Sequence, residues 1–155
     1  VKRGFFGIGI YHGKTVENLG TLWRSAHAFG ADFIFTIGRR YKPQASDTTK
    51  AWRHVPLWEY QDINQLKAAM PREALLVGVE LTTCALPVAS FHHPERAVYL
   101  LGAEDSGLPP AELAMCHRVI VLPGSRCLNV SVAGSIVLFD RHQKTKIDSF
   151  AIAAE

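Results

Sequence analysis

The chain has 155 residues, with 17 Lys and Arg against 14 Asp and Glu, and a formal net charge of +3. A single domain is expected, since domains run to roughly 100–200 residues, and one of this size buries about 68–70% of the surface its unfolded chain exposes, without a disulfide or metal staple. The balance of 48% hydrophobic and 20% charged residues excludes a disordered chain, and no apolar run reaches the ~18–20 residues of a membrane span.

The N-terminus, Val1-Lys2-Arg3-Gly4-Phe5-Phe6, is basic and then apolar. Its apolar run is short and broken by glycines, which fits a strand over residues 5–11 rather than a signal peptide. Leu19, Leu22, Trp23, Ala26 and Phe29 recur at helical spacing within 16–29, and Gly30 is placed to close that helix. Residues 32–37 read as a second apolar strand and 55–60 as a short extended piece. Asp62 can cap a helix that carries Ile63, Leu66 and Met70 on one face and stops at Pro71.

Residues 74–81 and 97–101 are continuous apolar strands, Pro109-Pro110 opens a helix to Met115, and 119–122 is a strand stopped by Pro123-Gly124. Residues 129–142 favour a buried helix by length, although their valines suit a strand as well. The tail from Lys144 is either a frayed end or an apolar strip that packs on a neighbour. Strands apolar on both faces that alternate with helices predict an α/β fold, a parallel sheet flanked by helices. The domain is drawn over 1–145, with 146–155 as a C-terminal tail.

The net charge hides a local excess. Between residues 39 and 54, Arg39, Arg40, Lys42, Lys50 and Arg53 stand against Asp47 alone, so this segment carries +4 and the rest of the chain −1. It also holds Tyr41, Trp52 and His54. Cations match phosphates and flat rings stack on unpaired bases, so this segment is either an RNA contact or a solvated loop.

Ligands of parallel α/β sheets collect beyond the carboxyl ends of the strands. Glu104 and Asp105 lie at one such end, as functional acids or as caps of the next helix. Asn129 and Ser131 lie at another, where a helix start offers backbone amides to an anion or the side chains simply cap. Asn18, Gly20 and Arg24 lie on the first helix, where Arg24 is either functional or a surface residue. The seven histidines show no HExxH and no zinc spacing, so no metal is expected. His92-His93 reads as an exposed loop pair. Cys84, Cys116 and Cys127 form no CxxC pair and no even framework, which fits reduced thiols in the cytoplasm. Cys127 has no Cys-His signature, and Ser106 lacks the nucleophile-elbow pattern.

Three segments in this order, Asn18-Leu19-Gly20-Thr21-Leu22-Trp23-Arg24, Leu101-Gly102-Ala103-Glu104-Asp105-Ser106-Gly107-Leu108-Pro109, and Val121-Leu122-Pro123 followed by Cys127-Leu128-Asn129-Val130-Ser131, resemble the SpoU/TrmH-type RNA ribose 2′-O-methyltransferases of the SPOUT superfamily. The resemblance implies a deep C-terminal trefoil knot, which no pattern argument proposes because knots are almost absent from proteins. It implies S-adenosylmethionine held by Val79, Glu80, Leu81, Leu101, Gly102, Val121, Leu122, Cys127 and Leu128, and a homodimer joined through the knot region. It makes Arg24 the catalytic arginine, with Asn18, Glu104 and Asn129 completing the site. Arg24 is either the base or an alkoxide stabiliser. Family members usually carry Ser where this chain has Cys127, and a thiol is the weaker hydrogen-bond donor. Short members often act on tRNA, so tRNA is favoured over rRNA. The competing expectations are a non-catalytic RNA-binding module on the same fold and a Cys- or Ser-dependent hydrolase.

Overall fold

The apolar runs of the sequence become the strands of one parallel sheet. The computed structural model describes residues 4–41 and 50–153. In it β1 (Phe5–Tyr11) and β2 (Phe33–Ile37) are joined by α1 (Val16–Ala28), which buries Leu19, Leu22, Trp23 and Ala26. Gly30 follows α1 at φ +76°, the left-handed conformation that ends a helix at little cost for glycine. A 3₁₀ turn at Ala51–Arg53 leads to β3 (Leu57–Tyr60) and α2 (Ile63–Ala69). The Asp62 side chain caps α2 by accepting from the Gln65 amide at 2.9 Å.

β4 (Leu75–Val79), the two-residue β5 (Leu86–Pro87), β6 (Arg96–Leu101), α3 (Pro110–Met115), β7 (Arg118–Val121) and α4 (Val130–Ala153) complete the chain. The sheet order is β3-β2-β1-β6-β4-β7-β5, and every pairing is parallel. One core layer packs α1 and α4 on one face, through Leu22, Trp23, Val137 and Leu138 among others; Ile63 and Leu66 of α2, with Leu113 of α3, cover the other. This is the parallel α/β sandwich expected from the sequence. No helix among the described residues is long and apolar enough to cross a membrane.

Two local readings change. Helix α4 runs on to Ala153, well past the 129–142 expected, because the Gln, Lys and Ala residues of that stretch are good helix formers. His92 and His93 are not a matched exposed pair. The His93 side chain is 1% exposed, because both of its ring nitrogens find partners inside the fold: Nδ1 meets the Tyr99 hydroxyl at 2.6 Å and Nε2 meets Asp140 at 2.7 Å. Beside them Arg141 is 2% exposed. It donates to the carbonyls of Pro94 and Glu95 and to the Tyr99 oxygen, and its guanidinium lies 4.4 Å from the Phe6 ring centre. These contacts fasten α4 to β6 and to the segment before it.

Candidate active site

Register places three strand ends side by side. Val79 of β4 pairs with Leu101 of β6 and with Ile120 of β7, while Ile10 of β1 pairs with the other edge of Leu101. The loops after β4, β6 and β7 therefore meet at one end of the sheet, around a cleft of about 240 Å³. Val79, Glu80 and Leu81 line it from the first loop, Leu101 and Gly102 from the second, Val121 and Leu122 from the third, and Cys127 and Leu128 from the approach to α4. All nine residues that the family resemblance points to for the cofactor thus line one cleft.

Glu80 holds two of these loops in place. One carboxylate oxygen accepts from the Leu81 amide at 2.9 Å and the other from the Leu108 amide at 2.7 Å. The loop after β6 is closed by the Gly107 amide donating to the Ala103 carbonyl at 2.9 Å, with Gly107 at φ +64°. Glu80 thus works here as a bracket as well as a lining group.

On the rim, three expected site residues form one relay. Asn129 Oδ1 accepts from the Ser131 amide at 3.0 Å, the Ser131 hydroxyl at 2.6 Å and the Val132 amide at 3.3 Å. It therefore caps α4, and its Nδ2 is the group left to donate to Asn18 Oδ1 at 3.0 Å. Asn18 Nδ2 in turn donates to Glu104 at 2.9 Å. Functional and capping readings of Asn129 are satisfied by the same side chain. Glu104 also accepts from the Lys14 and Thr15 amides at 2.9 and 3.3 Å. Partial burial pushes its carboxyl upward, but the Asn18 and backbone hydrogen bonds outweigh this and hold its pKa below the ordinary value. Glu104 is thus an anion that fixes the direction of both amides. Lys14 pairs with the neighbouring Asp105.

Arg24 is not part of this relay. It lies on the exposed side of α1, with no hydrogen bond or ion pair among the described residues, and it does not line the cleft. Of the basic segment, Lys42 lies outside the described residues. Arg39 turns back onto the Gly13 and Lys14 carbonyls, Arg40 is exposed, and Lys50 precedes the 3₁₀ turn at φ +47°. Arg53 sits 5.1 Å from the ring centre of Trp52, itself 42% exposed. The rings of His54 and of His27 on α1 stack at 4.4 Å with planes 4° apart. The sequence offers no signal for that pairing, since the two residues lie on separate elements.

Among the thiols, Cys84 and Cys127 are exposed, whereas burial pushes Cys116 up to about 11. Among the described residues no group of three or more His, Cys, Asp or Glu is placed to hold a metal ion.

The sequence model of the SpoU rRNA Methylase family matches residues 7–139. The chain is 28% identical over 134 residues to the tRNA (guanosine(18)-2′-O)-methyltransferase TARBP1 of Mus musculus, covering 79% of this chain but only 8% of that protein. It is 27% identical over 151 residues to a tRNA (cytidine(34)-2′-O)-methyltransferase of Ancylobacter novellus, covering 89% of this chain and 92% of the other. Among solved structures, the SpoU methyltransferase AviRb of Streptomyces viridochromogenes in complex with AdoMet superposes with a TM-score of 0.79 at 21% identity, over 94% of this chain and 59% of that one. At that identity the likeness is one of fold. The family match spans all three sequence segments and the cleft they build, and the chain belongs to the SpoU rRNA Methylase family.

Proposed function

We propose that the chain transfers a methyl group from S-adenosylmethionine to a ribose 2′-hydroxyl of RNA, with tRNA the favoured substrate. The observation that carries this reading is the convergence of all nine expected cofactor residues on one cleft whose rim bears the Glu104–Asn18–Asn129 relay. The two relatives named above, both tRNA 2′-O-methyltransferases, support the reaction and the substrate, and the AdoMet-bound Streptomyces structure supports the cofactor.

The cleft suits that cofactor. Val79, Leu101, Leu122 and Val130 give it apolar walls for a flat base, Gly102 and Gly107 expose bare backbone, and Glu104 and Asp105 place negative charge at its edge. When bound, S-adenosylmethionine supplies an electrophilic methyl group on a positively charged sulfur. The chain must bring the 2′-hydroxyl into line with it and stabilise the oxygen as its proton passes to solvent, the C–S bond breaking to leave S-adenosylhomocysteine as the C–O bond forms. A guanidinium, with a pKa above ~12, is a poor proton acceptor. In this reading Arg24 orients the hydroxyl and stabilises the developing negative charge, while Glu104 and the α4 cap hold Asn18 and Asn129 in one orientation.

Because Arg24 lies outside the cleft, a homodimer belongs to the same proposal. Val132, Ile136 and Phe139 are 47%, 37% and 51% exposed and follow one face of α4, an apolar stripe of the kind that marks an interface. The knot through the loops at 79–81, 101–102, 121–122 and 127–128, RNA contacts by Arg40, Lys50 and Arg53, and a cytoplasmic location complete the reading. Radiolabelled methyl transfer to a tRNA pool tests it: the wild type incorporates label and Arg24→Ala does not. Equal incorporation by the variant would remove Arg24 from the mechanism.

A further inference from the structure

The first arginine of the basic segment does not behave as a free phosphate ligand. Arg39 Nη1 donates to the Gly13 carbonyl at 2.8 Å and also to the Lys14 carbonyl. Its own backbone is anchored. The Thr36 hydroxyl, on a residue only 6% exposed, donates to the Arg39 carbonyl at 2.8 Å, and the preceding Gly38 amide donates to the Tyr60 carbonyl at 2.8 Å.

The loop that Arg39 grips is the one that holds Glu104. The amides of Lys14 and Thr15 point at the carboxylate, and the Lys14 ammonium pairs with Asp105. Glu104 then fixes Asn18, and Asn18 meets Asn129. An unbroken set of hydrogen bonds therefore runs from the start of the basic segment to the cap of α4. Both bonds come from one nitrogen, Nη1, whose two N–H groups point in fixed directions in the guanidinium plane, whereas an ammonium is a point charge on a flexible stem.

We infer that Arg39 is a positioning residue for the reaction: by clamping the Gly13 and Lys14 carbonyls it sets the loop whose amides orient Glu104, and through Glu104 the two asparagines. This rests on the methyltransferase reading above. It assigns Arg39 a role other than the phosphate contact expected from its place in the sequence.

Steady-state methylation of tRNA by Arg39→Ala, Arg39→Lys and Thr36→Val tests it, together with a carboxyl NMR titration of Glu104. Misplacing a catalytic group by about 1 Å costs on the order of 10²-fold in rate. Arg39→Ala is accordingly expected to lower kcat by about that factor while KM for RNA stays within about two-fold. Arg39→Lys restores part of the loss, because an ammonium keeps donors for the carbonyls but carries them on a shorter, flexible stem without fixed directions. Thr36→Val, which frees the Arg39 carbonyl and leaves the guanidinium intact, moves kcat the same way by less. With the loop released, Glu104 loses amide hydrogen bonds and its pKa rises towards the ordinary carboxyl value. A raised KM with unchanged kcat and a flattened salt dependence would make Arg39 a phosphate contact and overturn the inference. So would an unmoved Glu104 titration. A wild type that transfers no methyl group overturns the functional reading and the positioning role with it, whereas an active wild type matched in kcat by Arg39→Ala overturns the positioning role alone.

Discussion

Gly102 tests whether the cleft holds the cofactor. A methyl group placed on its Cα would lie 2.4 Å from the Gly107 carbonyl carbon, 2.5 Å from the Leu108 nitrogen and 2.6 Å from the Gly107 Cα, all of them backbone atoms. Carbon atoms rest at about 3.5–4.0 Å, so Gly102→Ala demands a shift of about 1 Å. The loop has little freedom to give it. The Leu108 amide is bonded to Glu80 at 2.7 Å and the Gly107 amide to Ala103 at 2.9 Å. Overpacking of this kind costs about 1–3 kcal/mol, visible as a lower urea midpoint with far-UV circular dichroism unchanged. Because Gly102 lines the cleft, the displaced loop also alters the wall that faces the cofactor. Calorimetric titration with S-adenosylhomocysteine is expected to show affinity weaker by about tenfold or more, equivalent to about 1.4 kcal/mol. Wild-type affinity in the variant would refute the placement of the cofactor in this cleft.

Two further predictions concern acid stability and assembly. Burial pushes the pKa of His93 down against the opposing pull of Asp140, and burial with the nearby Lys67 and Arg118 charges lowers that of His117, whose Nδ1 accepts from the Leu76 amide at 2.9 Å. The unfolded chain takes up protons at these sites near pH ~6.5 and the folded chain only at lower pH. Stability is therefore full above that value and falls as the pH drops through the lowered folded values. Urea midpoints measured from pH 7.5 to 5 should decline, and a His93→Gln variant, whose amide can accept from Tyr99 and donate to Asp140, should show a shallower decline; identical slopes would contradict the assignment. On the apolar stripe of α4, Ile136→Glu is expected to convert the proposed dimer to a monomer in light scattering at unchanged helicity; a dimer that persists would exclude this face from the interface, and a monomeric wild type would exclude the dimer itself.

Where a residue's neighbours lie along the chain, the sequence was readable. The buried runs that become β1, β2, β4 and β6 are continuous and largely apolar, and Gly30 marks the end of α1 by the one conformation it alone adopts cheaply. Where the neighbours come from elsewhere, it was not. β5 has only Leu86 and Pro87 and exists through its pairing with β7. His93 looked like half of an exposed pair because its partners, Tyr99 and Asp140, are set by the packing of β6 against α4. Arg39 looked like one cation among five, and only the approach of the Gly13–Lys14 loop distinguishes it. The cleft lies between these cases. Six of its nine residues fall in the segments that carry the family resemblance and Val79, Glu80 and Leu81 followed only by matching position, while the register that sets Val79 beside Leu101 and Ile120 is a property of the folded sheet. Glu104 was legible as an acid at a strand end, whereas its duty as the anion orienting two asparagines needed the Lys14 and Thr15 amides beside it.

The proposed reaction places a methyl group on a ribose 2′-hydroxyl, and the position of the transferred group can be read directly. Purified chain should be incubated with S-adenosylmethionine carrying a deuterated methyl group and a tRNA pool, and the RNA digested to nucleosides for mass spectrometry. The label is expected on 2′-O-methylnucleosides, with the mass gain retained on the sugar fragment and absent from the base. Label confined to bases, or none from a chain that binds S-adenosylhomocysteine, would contradict it.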